Sequence, residues 1–163
     1  MITFTELLCT AVVAMNMPHA DVACGHMETV VEEAHKNNLE AEVLVALIHE
    51  ESRWKPWAVS KAGACGLTQV MPKYTRKPRV TCKQLKNAKL SIQRGAAILA
   101  YWVFEYAGGD YKIGLCGYNS GYRCRGKKKS KRSMAYARRV LRRARKLSNL
   151  VDRKRELLSI PAE

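Results

Sequence analysis

A chain of 163 residues, 47% hydrophobic and 26% charged, has the length and balance of one folded domain, which excludes wholesale disorder and coiled coil. No apolar run approaches the roughly 20 residues of a membrane-spanning helix. The net charge of +15 comes from 29 Lys+Arg against 14 Asp+Glu, and residues 123 to 155 hold 16 of those basic side chains with the single acid Asp152. The basic field is therefore regional and calls for an anionic partner or surface, without choosing among nucleic acid, membrane and wall polymer.

Residues 1–26 form an N-terminal segment whose apolar stretch, Leu7 to Met17, has signal-peptide length. Glu6 precedes it and no Lys or Arg does; Pro18-His19-Ala20 and Ala23-Cys24 are poor cleavage sites, and Asp21 spoils a lipobox ending at Cys24. Both readings stay open: a cleaved signal, or an amphipathic first helix. From Met27 the periodicity turns helical through Val30, Val31, Ala34 and Leu39, broken at Asn37-Asn38. A stronger helix spans about Leu39 to Trp54 on a stripe of Val43, Leu44, Leu47 and Ile48, and Pro56 stops it.

Pro56, Ser60, Gly63 and Gly66 make 55–66 a loop, followed by an apolar turn from Leu67 to Met71. The basic stretch Lys73 to Asn87, with Pro78, reads as exposed loop. A long helix is predicted from about Lys89 to Tyr106 with Ile92, Ala96, Leu99, Trp102 and Val103 on one face, capped by Gly108-Gly109. A short helix from Tyr111 to Cys116 leads into Gly117-Tyr118-Asn119-Ser120-Gly121, a turn by composition. The Lys-rich stretch 123–132 lacks apolar period and reads as a mobile loop. The last helix runs from Met134 to about Leu147, with arginines opposite its apolar stripe. No strand or repeat is evident. The expectation is a mainly α single domain over 27–150, with a basic C-terminal helix and a tail over 151–163.

Six cysteines, Cys9, Cys24, Cys65, Cys82, Cys116 and Cys124, lack the CxxC spacing of a zinc knuckle or a thioredoxin-like site. They read as disulfides of an oxidising compartment or as buried thiols. Cys65 with Cys82 and Cys116 with Cys124 are the pairs close in sequence. His49-Glu50-Glu51 lacks the second His of a metalloprotease helix, since Arg53 stands there, so no metal site is indicated. Ser52 has no His partner for nucleophilic chemistry. Trp54, Trp57 and Trp102 could stack on sugars, but Trp102 sits on an apolar helical stripe, where core packing is the simpler reading.

Glu51 follows Leu44, Leu47 and Ile48 at i+7, i+4 and i+3 and extends their apolar stripe, while Glu50 is rotated about 100° away. A carboxyl at the rim of an apolar face is partly desolvated, which raises its pKa and suits it to general acid work. Periodicity alone favours the plainer reading, two solvated helix-end glutamates.

Three motifs change that balance. Glu51-Ser52, then Ser60 to Pro72 with Gly66-Leu67-Thr68-Gln69-Val70-Met71 inside it, then Gly117-Tyr118-Asn119-Ser120-Gly121 resemble the lytic transglycosylase family of the soluble SLT type. This is the goose-lysozyme-related branch of the lysozyme-like fold. The resemblance covers roughly 27 to 146, and Tyr136-Ala137-Arg138-Arg139-Val140-Leu141 resembles the family's closing helix. It implies Glu51 as the single catalytic acid. It also implies Ser60, Gln69, Met71, Tyr118 and Asn119 as substrate-binding residues, Tyr118 with its hydroxyl facing the carboxyl. For Ser60 and Asn119 the competing reading is turn formation, and for Met71 and Tyr118 it is core packing. The sequence departs from the family pattern at Gly117 and Ser120, where Ala is usual, at Ser91, where Asn is usual, and in its Lys-rich insertion.

The segment between Ser52 and Gly66 holds no Asp or Glu, and Glu105 and Asp110 fall near the end of another helix. Two-carboxylate glycosidase chemistry lacks its second group. The resemblance then implies cleavage of the MurNAc-GlcNAc β-1,4 bond with 1,6-anhydromuramoyl ends, no cofactor, peptidoglycan glycan strands as partner, and a monomer. The setting would be a bacterial envelope or a bacteriophage virion, with a lean to the virion. A hydrolytic lysozyme of the same fold is one alternative. The other is a basic nucleic-acid or membrane-surface module acting through 123–155, for which no reading helix or stacking platform is present.

Overall fold

The computed structural model describes residues 1–75, 77–125 and 130–159. Thr3 and Glu6 close a capping box that starts α1 (Phe4–Ala14), with the Thr3 amide donating to Glu6 Oε2 at 2.6 Å. Glu6, the acid that precedes the apolar stretch, is thus part of a helix cap. Leu7, Leu8, Ala11 and Val12 of α1 are buried in the main core. The short α2 (Ala20–Gly25) leads into α3 (Met27–Lys36), which ends at Asn37 before Asn38 takes φ 55°.

In α4 (Ala41–Ser52) every residue from Val43 to Ile48 is buried, so it is apolar all round and sits at the centre. Each large aliphatic side chain buried there stabilises the fold by roughly 1.5–3 kcal/mol before entropy is subtracted. The helix stops without reaching Pro56: Arg53 and Trp54 turn left-handed at φ 51° and 63°, and Trp54 is fully buried. A small satellite core of Cys65, Val70, Val80 and Leu85 lies under the following loops.

The stretch predicted to be plain loop from Lys73 to Asn87 contains a 3₁₀ turn (Pro72–Tyr74) and α5 (Cys82–Leu85), the latter started by a Thr81/Gln84 capping box. α6 (Ala88–Ala100) continues as a π-helical turn over Tyr101–Tyr106, so the predicted single helix is two segments of different pitch. Trp102 is only partly buried there, against the core reading, and meets Tyr101, Tyr106 and Tyr122 edge-on.

α7 (Tyr111–Ser120) absorbs the stretch predicted to be a turn; only Gly121, at φ 69°, terminates it. Gly117 is there for clearance rather than for turning. A Cβ on it would stand 2.4 Å from the Trp102 ring, which accounts for glycine where the family usually has alanine. α8 (Lys131–Ser159) is twice as long as predicted and takes in 151–159 of the expected tail; it packs against α1, α4 and α7. Of the stretch expected to be a mobile loop, 126–129 lie outside the described residues.

Three disulfides, Cys9–Cys24, Cys65–Cys82 and Cys116–Cys124, use every cysteine. The first ties α1 to α2, and the second pins α5 to the satellite core. No strand forms among the described residues beyond isolated bridges at Val59, Cys65 and Val70, and no helix there is long and apolar enough to cross a membrane.

Candidate active site

Glu51 occupies the last turn of α4, where the apolar helix reaches the surface. Burial is the dominant influence on its carboxyl and pushes the pKa up to about 7, against the lowering effect of a hydrogen bond from Tyr136. Tyr136, on α8 and 4% exposed, donates its hydroxyl to Glu51 Oε1 at 2.5 Å. Burial together with the neighbouring Glu51 charge holds the Tyr136 hydroxyl well above the usual phenol range, so it remains a donor. A carboxyl that ionises near neutrality can both give up and take back a proton under one set of conditions.

Glu50, one residue earlier, faces another environment. Burial pushes its carboxyl up, but hydrogen bonds and charge from Arg139 (2.6 Å) and Arg143 (3.0 Å) outweigh that and hold it below the usual carboxylate value. Two adjacent glutamates are thereby driven apart, one bound as an anion and one poised to titrate. His49 is kept neutral near a pKa of about 4, first by burial and then by the Arg143 charge. Its Nδ1 and the Trp54 Nε1 are buried without a hydrogen-bond partner among the described residues.

Near Glu51 runs the loop from Trp57 to Met71, tied to Tyr118, which feels the Glu51 charge, through the Thr68 carbonyl. Its turn is locked to α6: Thr68 N–H donates to Ser91 Oγ at 3.1 Å, and Thr68 Oγ1 donates to the Ser91 carbonyl at 2.8 Å. Ser91 is fully buried, and Gly66 stands so close that a Cβ there would lie 2.0 Å from the Leu85 carbonyl oxygen. Serine at 91, where the resemblance leads one to expect asparagine, therefore has a defined structural task.

Gln69, at φ 50°, spends its amide N–H groups on the carbonyls of Ala58 (3.0 Å) and Gly66 (2.9 Å), and its side chain is partly exposed. Ser60 Oγ accepts from the Ala64 amide at 3.0 Å, the turn-forming role that competed with a cleft role. Met71 is partly exposed, and Asn119 is exposed on α7.

Tyr118 differs from its expected pose. Its hydroxyl donates to the Thr68 carbonyl at 2.7 Å and so ties α7 to the loop. It remains close enough for the Glu51 charge, after burial, to raise its own pKa well above the usual range. The tyrosine on the carboxyl is Tyr136, which sequence reasoning placed in a resembling helix without giving it a role. The signal that could have found it is its position: Tyr136 shares the buried stripe of α8 with Ala137, Val140 and Ala144, where a phenol hydroxyl must find a polar partner. Asp110, one of the two acids left unplaced by the sequence, caps α7 by accepting from the Ile113 amide at 3.0 Å. Glu105 is exposed on the π turn. Among the described residues no group of three His, Cys, Asp or Glu side chains could hold a metal ion.

A helical domain with a half-buried carboxyl of raised pKa at the end of its central helix, beside a glycine-tight loop and a helix bearing a second tyrosine, has the form of the lysozyme-like class. The family model described as the transglycosylase SLT domain matches residues 28–140, and the chain belongs to that family. Among solved structures it is similar to an inactive mutant of the lytic transglycosylase Slt from Pseudomonas aeruginosa, at TM-score 0.70 and 19% identity. That match covers 93% of this chain and 31% of the other, so the chain corresponds to under a third of the Pseudomonas protein and shares its fold. No curated protein sequence matches the chain.

Proposed function

We propose that the chain is a peptidoglycan lytic transglycosylase that cleaves the MurNAc-GlcNAc β-1,4 bond with Glu51 as its one general acid and base. The observation that carries this reading is the division of labour between the two glutamates. Glu51 is raised to about 7 and held by Tyr136, while the nearest other carboxylate, Glu50, is consumed by Arg139 and Arg143. Hydrolysis by paired carboxylates needs a second free one across the scissile bond.

In the first step protonated Glu51 gives its proton to the glycosidic oxygen as the C1–O bond breaks, and the substrate's N-acetyl carbonyl oxygen stabilises the cationic C1. In the second, the Glu51 carboxylate takes the proton of the muramoyl 6-hydroxyl while that oxygen bonds to C1. The products are a new free 4-hydroxyl and a 1,6-anhydro ring, with no water consumed and the acid regenerated. Tyr136 acts as a positioning residue that fixes the carboxyl. The exposed amide of Asn119, the free amide oxygen of Gln69 and the thioether of Met71 are proposed to line the strand, with Ser60 and Tyr118 shaping the walls. Action on wall polymer outside the cytoplasm agrees with a chain whose six cysteines are all paired.

Mass spectrometry of fragments released from purified peptidoglycan, with Glu51→Gln alongside, tests the proposal. Fragments one water lighter than hydrolysis products, absent with the variant, are expected. Hydrated ends would replace the reading with a hydrolytic lysozyme, and no release from the native chain would overturn it.

A further inference from the structure

Arg139, Arg142, Arg143 and Lys146 recur at i, i+3, i+4 and i+7 along α8 and therefore share one face. With Met15, which follows α1, they line an open depression of about 310 Å³. A single carboxylate reaches into this group: Glu50, on Arg139 at 2.6 Å and Arg143 at 3.0 Å. Arg142 and Lys146 make no ion pair among the described residues. Four cations thus line one concave site, and among the described residues Glu50 pairs with only two of them, so an excess of positive charge focuses the field there.

Two further properties distinguish this group from general basicity. Glu50 already holds two guanidinium groups in place, and Arg143 is 25% exposed, so much of the ordering needed to receive a ligand is complete beforehand. The fork of a guanidinium also matches a tetrahedral oxyanion in two-point hydrogen bonding. Arg138 and Arg145, on the same helix, are exposed and take no part in the depression.

We propose that this depression is a binding site for a phosphate group, as a phosphomonoester or phosphodiester, held by Arg142 and Lys146 together with the outer edges of Arg139 and Arg143. Neither Glu51 nor any residue proposed to line the glycan strand belongs to the lining of this depression. The basic sequence would then do more than supply diffuse attraction: one of its faces is built, and its ligand is a phosphate carried by a soluble molecule or by a lipid headgroup.

The test compares two charge-matched double variants of the full chain, Arg142→Gln with Lys146→Gln and Arg138→Gln with Arg145→Gln. All four side chains are exposed, and circular dichroism checks that both variants fold. Calorimetric titration with inorganic phosphate at low salt is run beside flotation with vesicles of phosphatidylglycerol and phosphatidylcholine. A loss of about tenfold or more in the first variant, with the second near native, supports the site. Phosphate binding with that pattern assigns a soluble source, whereas the pattern in vesicles alone assigns the headgroup. Equal weakening of both variants, or binding in neither assay, overturns the proposal.

Discussion

Tyr136 and Glu51 are 85 residues apart in the chain and 2.5 Å apart in the fold, hydroxyl to carboxyl oxygen. That bond is the chief influence opposing burial at the carboxyl. Removing it in Tyr136→Phe is expected to raise the Glu51 pKa above about 7 and to move the alkaline limb of wall lysis to higher pH. Loss of positioning should lower kcat by roughly 10- to 100-fold. A pH profile of turbidity loss on purified walls reads both effects. An unmoved limb would separate Tyr136 from the titrating group.

Glu50→Gln should shift the same limb the other way. The Glu50 charge helps to raise the Glu51 pKa, so its removal lets Glu51 ionise at lower pH. Stability falls as well. Glu50 has a lowered folded-state pKa, so its pairing with Arg139 and Arg143 is fully present above the ordinary carboxylate value of 4.5 and fades as pH drops through the folded value. Urea melts should place the variant roughly 1–2 kcal/mol below native at pH 7 and converge with it in acid.

For Glu51 the sign is reversed. Its folded pKa of about 7 lies above 4.5, so the native state binds more protons than the unfolded chain between those values, and stability falls as pH rises through that window. Glu51→Gln is neutral throughout. It should stabilise the chain by roughly 3 kcal/mol at pH 8, with the gain vanishing below pH 4.5. Thermal melts across pH check this, and a pH-independent difference would contradict burial as the cause of the shift.

Gly117→Ala sets a methyl 2.4 Å from the Trp102 ring and should cost roughly 1–3 kcal/mol through displaced packing. Pairing it with Trp102→Leu should recover most of that loss. If the single variant melts with the native chain, the ring moves freely and glycine has no such task.

The helices were readable because α3, α6 and α8 bury residues at helical spacing, while α4 shows as an apolar run bounded by polar ends. Boundaries were harder wherever glycine had two uses. Gly117 reads as a turn residue by composition, yet it sits inside α7 because an aromatic ring needs the room. α5 carried its own signal in Thr81 and Gln84, hidden among basic and proline residues. The extent of α8 was missed because its last turns bury almost nothing: beyond Val151 its described residues are exposed, and periodicity has no face to register. At the candidate site, Glu51 stood out through the motifs around it. The direction of the two tyrosine hydroxyls did not, since it depends on which carbonyl or carboxyl the packed helices bring near.

α8 carries both the phenol on Glu51 and the arginines on Glu50, yet it follows every other described element in order of synthesis. A product truncated before this helix keeps the carboxyl of Glu51 but has neither the phenol that holds it nor the guanidinium groups that occupy its neighbour.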